Sequence, residues 1–111
     1  MKPTREDKVT RMLQKELGEI FLLYAKKMQG VIISVTDVRI SPDLGIARIY
    51  LSIFPNTKAE EIFRLVEEDS KALRFELGKR IKNQLRIVPE LIFMLDDSLN
   101  YLEKIDDLLK K

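Results

Sequence analysis

Cysteine and histidine are both absent from the 111 residues. Without thiolate or imidazole the chain cannot build the common structural zinc sites, a thiol nucleophile or a Ser-His-Asp triad. It also lacks the side chain most used for acid–base work near neutral pH. Few enzymatic options are left. The lack of cysteine fits a reducing compartment, and the opening Met1-Lys2-Pro3-Thr4-Arg5-Glu6-Asp7 is charged where a secretory signal would be apolar. Both predict a cytoplasmic protein. Long hydrophobic runs are missing too: Ile20 to Ala25 falls far short of the ~20 residues that cross a bilayer, so no membrane partner is expected. Glycine is confined to positions 18, 30, 45 and 78.

What is present is charge, unevenly placed. The formal net charge is only +2, yet Lys71, Arg74, Lys79, Arg80, Lys82 and Arg86 crowd sixteen residues that hold the single anion Glu76. Residues 58–70 and 87–111 are acidic in balance and flank this basic centre. A concentrated positive surface next to an apolar strand points to a polyanion. The solvated-face reading, in which the cations merely solubilise a helix and pair with the acidic segment before it, competes with that one.

The length fits one domain, residues 1–111, able to bury roughly two-thirds of its unfolded surface without disulfide or metal. Val9, Leu13, Leu17, Ile20, Tyr24 and Met28 recur at helical spacing and predict a first helix from Thr4 to about Gln29, stopped by Gly30. Arg5, Lys8, Arg11 and Lys15 line another face of it, which taken alone is the ordinary solvated side of a helix. Val31 to Ile40 is a strand whose alternation changes phase, and a bulge near Thr36 and Asp37 would restore it. Ser41-Pro42-Asp43-Leu44-Gly45 turns the chain into a second, antiparallel strand with Ala47, Ile49, Leu51 and Ile53 on one side. Thr57 and Glu60 have the spacing of a capping box, opening a helix that buries Ile62, Leu65 and Val66. The pattern breaks at Asp69 and Ser70 and restarts at Leu73, Leu77 and Ile81, predicting two helices or one kinked helix. Val88 to Leu95 is a third strand, and Asp97 or Ser98 would cap a last helix with Leu102, Ile105 and Leu109 inward. The order helix, strand, strand, helix, helix, strand is a two-layer α+β plan.

Four blocks in this order resemble the ribosome-binding factor A family. They are Leu13-Gln14-Lys15-Glu16-Leu17, the hairpin from Val38 to Tyr50, Glu76-Leu77-Gly78-Lys79-Arg80, and Arg86-Ile87-Val88-Pro89-Glu90-Leu91-Ile92-Phe93 with Asp96, Asp97 and Ser98. The resemblance implies a type II KH-like fold with helices packed on a three-stranded mixed sheet. It also implies a monomeric, non-catalytic factor that binds the small ribosomal subunit and its RNA during maturation, with no cofactor and no small-molecule substrate. Where the family places Ala-any-Gly between its paired helices, this chain reads Asp69-Ser70-Lys71-Ala72, and its spacing from Gly78 to Arg86 is slightly longer.

The residues support RNA without the family. The four glycines leave no Gly-any-any-Gly loop to clamp a single strand. Among the strand rings only Tyr50 is placed to stack a base, Phe54 lying at a strand end. Shape and phosphate recognition is therefore expected, through Lys71, Arg74, Lys79, Arg80, Lys82 and Arg86 with Arg5, Lys8, Arg11 and Lys15. Gly78 reads as a close-packing position. Asp96 and Asp97 are too few for a two-metal nuclease, and adjacent carboxylates on a strand point apart. The alternative is a protein-interaction adaptor using a sheet edge or the acidic C-terminal helix.

Overall fold

The computed structural model describes residues 4–96. Helix α1 (Arg5–Lys26) opens with a capping box. The Thr4 hydroxyl accepts from the Asp7 backbone N–H, and the Asp7 carboxylate accepts from the Thr4 N–H, each at 3.1 Å. Its apolar stripe, Val9, Leu13, Leu17, Ile20, Phe21 and Ala25, is buried. The helix ends at Lys26, earlier than the periodicity predicts. The Met28 N–H reaches back to the Ala25 carbonyl at 2.9 Å, and Gly30 at φ +73° turns the chain away.

Strands β1 (Ile32–Ile40) and β2 (Ile46–Phe54) pair antiparallel, and β2 pairs parallel with β3 (Glu90–Leu95), giving the order β1-β2-β3 in a mixed sheet. The register slips between Val35, opposite Leu51, and Asp37, opposite Tyr50, so Thr36 is the extra residue of a bulge. That one insertion puts Ile33 and Val38 on the same buried face as Ala47, Ile49, Leu51, Ile53, Leu91 and Phe93. Phe21 joins helix to sheet, its ring edge-on to Phe93 at 5.8 Å between centroids.

The Ser41–Gly45 turn is closed by its own side chains. Asp43 Oδ1 accepts from the Ser41 hydroxyl (2.6 Å) and the Gly45 N–H (3.0 Å), while Ser41 Oγ accepts from the Ile46 N–H (3.0 Å). These donors hold the Asp43 carboxyl below the usual carboxylate range, the Ser41 hydroxyl contributing most.

Beyond β2 the predicted capping box does not form. A 3₁₀ turn over Asn56–Lys58, its Lys58 N–H bonded to the Pro55 carbonyl, takes Thr57 into the turn, and α2 (Ala59–Glu68) starts without a side-chain cap. Glu60 and Glu61 still sit favourably in its first turn. Ala59, Ile62 and Val66 are buried, whereas Leu65, one position round the helix, is 40% exposed. A single residue, Asp69, separates α2 from α3 (Ser70–Ile81). The backbone ladder continues across it through Asp69 N–H to Leu65 O and Leu73 N–H to Asp69 O, so the break is slight. The Tyr24 hydroxyl donates to Asp69 Oδ2 at 2.7 Å, pinning the junction to α1. Burial first, and then that bond, raise the Tyr24 hydroxyl above the ordinary phenol range. The third strand begins at Glu90, after Val88 and Pro89, because Pro89 has no N–H to pair. The predicted C-terminal helix with its Asp97 or Ser98 cap lies outside the described residues.

Because the folded Asp43 carboxyl ionises below its ordinary 3.8, its contribution to stability is present above that pH and is lost as pH falls through the lower, folded value. Thermal melts should place Asp43→Ala below the parent at pH 7, with the gap narrowing at a pH below 3.8.

Candidate nucleic-acid interface

Helix α3 has two sides of opposite character. Leu73, Leu77 and Ile81 are buried where α3 packs on α1, α2 and β3. At about 3.6 residues per turn, Lys71, Arg74, Phe75, Gly78, Lys79 and Lys82 fall together on the outer side. The turn after α3 brings Arg86 and Ile87 beside them, and with Val88 they line a cleft of about 680 Å³. Gly78 has a packing reason: a Cβ there would lie 3.2 Å from Val88 Cγ2, so its bare backbone lets the approach to β3 pass close to the helix.

The cations in the cleft are held differently. Arg74 donates from Nε to the Pro89 carbonyl (3.1 Å) and from Nη2 to the Val88 carbonyl (2.7 Å), which fixes the guanidinium without neutralising it. Lys79 Nζ lies 3.6 Å from Glu76 Oε2, both side chains about half exposed. Such a surface pair contributes little and is easily exchanged for another anion. Lys71, Lys82 and Arg86 are exposed. Five positive groups therefore face one concavity, and Glu76 is not among its lining residues.

Arg80 is not part of it. Nine residues from Lys71 is about two and a half turns, so its side chain leaves the opposite flank of α3. There Nη1 meets Glu19 Oε2 at 2.8 Å and Glu16 Oε2 at 3.4 Å, with the Arg80 side chain 26% exposed. Its charge is matched by two carboxylates, and it ties α3 to α1 along a second, smaller groove lined by Ile20, Leu23, Tyr24 and Asp69. Arg5, Lys8, Arg11 and Lys15 are exposed on α1, as their spacing predicts, and none lines the cleft. Phe75 and Ile87 do line it and escaped the sequence reading. Phe75 carried a usable signal, lying four residues after Lys71 and seven before Lys82, hence on the same helical face. Ile87 carried none, because only the fold of the turn brings it there.

Of the pair considered for metal, Asp96 accepts a hydrogen bond from the Thr36 hydroxyl at 2.7 Å, and Asp97 lies outside the described residues. Among the described residues no group of three or more carboxylates gathers as a metal site, and no helix is long and apolar enough to cross a membrane.

Helices on one face of a three-stranded mixed sheet, in the order α-β-β-α-α-β, with a cationic cleft along the last of these helices, define a small α+β protein of KH-like type. Residues 5–109 match the family model for ribosome-binding factor A. The Cytophaga hutchinsonii ribosome-binding factor A is 44% identical over 112 aligned positions, covering all of this chain and 84% of that protein. The Flavobacterium psychrophilum factor is 40% identical over 111, covering 98% and 85%. The chain belongs to the ribosome-binding factor A family. In fold it is similar to the crystal structure of ribosome-binding factor A from Thermus thermophilus, with a TM-score of 0.67 at 22% identity over 83% of this chain and 97% of that one. It is equally similar (0.67, 22%, covering 79% and 91%) to a homology model of the Thermus thermophilus factor as fitted into the cryo-EM map of its complex with the 30S subunit.

The two flanks of α3 should respond differently to charge reversal. Arg80→Glu faces Glu16 and Glu19 with a third anion and should lower stability by about 1 to 2 kcal/mol. Lys82→Glu should change it by no more than about 0.5 kcal/mol. Denaturant titration of both variants checks this.

Proposed function

We propose that this protein is a non-catalytic, cytoplasmic assembly factor that binds the small ribosomal subunit through its RNA. In this reading it is a single domain, and it helps the 16S ribosomal RNA reach its mature arrangement. Family membership and the relatives' shared name support the class of function, as does the Thermus factor's fit into a 30S complex.

The observation that carries the RNA reading is the convergence of Lys71, Arg74, Lys79, Lys82 and Arg86 on one cleft. A phosphate entering it meets ammonium groups free to reorient and one guanidinium already oriented by two carbonyls. It releases counterions as it binds. Arg5, Lys8, Arg11 and Lys15 would provide a second contact on α1, engaging the backbone where RNA runs past the cleft. Arg80 serves the site indirectly, by holding α3 against α1.

The triple variant Lys71→Gln, Lys79→Gln, Lys82→Gln should retain the parent's circular dichroism and lose co-sedimentation with small subunits at moderate salt. In titrations with small-subunit RNA, the slope of log affinity against log salt should flatten by roughly one per cation removed. Unchanged co-sedimentation would exclude the cleft.

A further inference from the structure

Phe75 is 68% exposed and Ile87 76% exposed, the two most exposed of the large hydrophobic side chains described. A single exposed apolar side chain needs no explanation. Two that line the same cleft, among five cations, do. If the cleft met only phosphate oxygens, a phenyl ring and a branched alkyl group would add nothing to binding and would leave apolar surface in water. An unpaired nucleotide has both components the cleft is built for. Its phosphate is an anion for Lys71, Arg74, Lys79, Lys82 or Arg86. Its base is a flat, partly apolar ring for Phe75, with Ile87 available as an apolar wall.

The electrostatics agree with the shape. Lys79 Nζ lies over the Phe75 ring, 5.1 Å from its centroid, so a base stacking on that face displaces an ammonium that is otherwise held only by a half-exposed pair with Glu76 and stays close enough to meet the base's own phosphate. An apolar segment of a protein partner would satisfy Phe75 and Ile87 equally well. It would also have to leave five cations unmatched or supply a carboxylate for each.

Resting on the reading of the cleft as an RNA site, we propose that Phe75 is a base-stacking platform. The ligand of this cleft is then RNA presenting at least one unpaired base, in a bulge or single-stranded stretch, and not a continuous duplex. This extends recognition beyond shape and phosphate, and it does so without a Gly-any-any-Gly clamp.

The test uses the full chain and two short RNA hairpins, one fully paired and one identical except for a bulged 2-aminopurine. The parent should bind the bulged hairpin about tenfold more tightly and quench its fluorescence. Phe75→Ala should bind both hairpins equally and give no quenching, with its melting temperature unchanged because the ring is outside the core, whereas Phe75→Tyr should restore both signals. Equal binding of the two hairpins by the parent, or a preference that survives Phe75→Ala, would refute stacking and leave phosphate recognition standing. Failure of the parent to bind either hairpin or small-subunit RNA, or the triple lysine variant binding as the parent does, would instead refute the RNA reading of the cleft. If Phe75→Ala bound both hairpins as the parent does but lost nuclease-resistant association with small-subunit proteins, Phe75 would belong to a protein contact and the proposal would fall.

Discussion

Burial of one face of the sheet is the constraint from which the position of the cationic cleft follows. Ala47, Ile49 and Leu51 on the central strand are fully shielded, with Ile53 nearly so, and that shielding requires helices laid across them. Once α3 turns Leu73, Leu77 and Ile81 inward, helical geometry leaves Lys71, Arg74, Phe75, Lys79 and Lys82 no direction except outward. The apolar core thus determines the orientation of the cations without touching them. Each fully buried leucine or isoleucine contributes about 1.5 to 3 kcal/mol, several times what an exposed ion pair supplies. Hydrophobic burial, not charge, sets the helix rotation.

Arg74 and Arg80 illustrate how the same residue type takes opposite roles in one helix. Carbonyl oxygens orient Arg74 and leave its charge uncompensated, so its positive field still reaches the cleft. Carboxylates from α1 hold Arg80 and cancel its charge, so it acts as a strut between helices. A count of basic residues over the segment treats the two alike. Geometry separates them, and the uncompensated cations of α3 belong to a single flank.

The junction between α2 and α3 also has a local solution. Where relatives of this family are expected to carry Ala-any-Gly, the chain has Asp69 at the break, with its carboxylate fixed by the Tyr24 hydroxyl. The hydrogen bond between α1 and the junction does by tertiary contact what a flexible glycine would leave loose. The bulge at Thr36 is similar in kind. Its hydroxyl donates to Asp96 at the end of β3, so the residue that corrects the phase of β1 also ties the first strand to the last.

Element order, the bulge, the antiparallel hairpin and the buried stripes of α1 and α3 were legible in the sequence, because each is a local consequence of side-chain periodicity or turn chemistry. The family was legible from its four blocks. The failures lie at element boundaries and rims: local backbone bonds drew Thr57 into a 3₁₀ turn (Lys58 N–H to Pro55 O) and closed α1 early at Lys26 (Met28 N–H to Ala25 O), and Leu65 fell at the rim of its helix. The candidate cations also divide. Spacing along α3 places Lys71, Arg74, Lys79 and Lys82 on one side, but the carboxylates awaiting Arg80 come from α1, and the turn that delivers Arg86 and Ile87 is shaped by packing against Gly78. The chain on its own specified the amount of positive charge and its approximate location. Only tertiary structure decided which of those charges remain free, because neutralisation depends on what lies within a few ångströms in space.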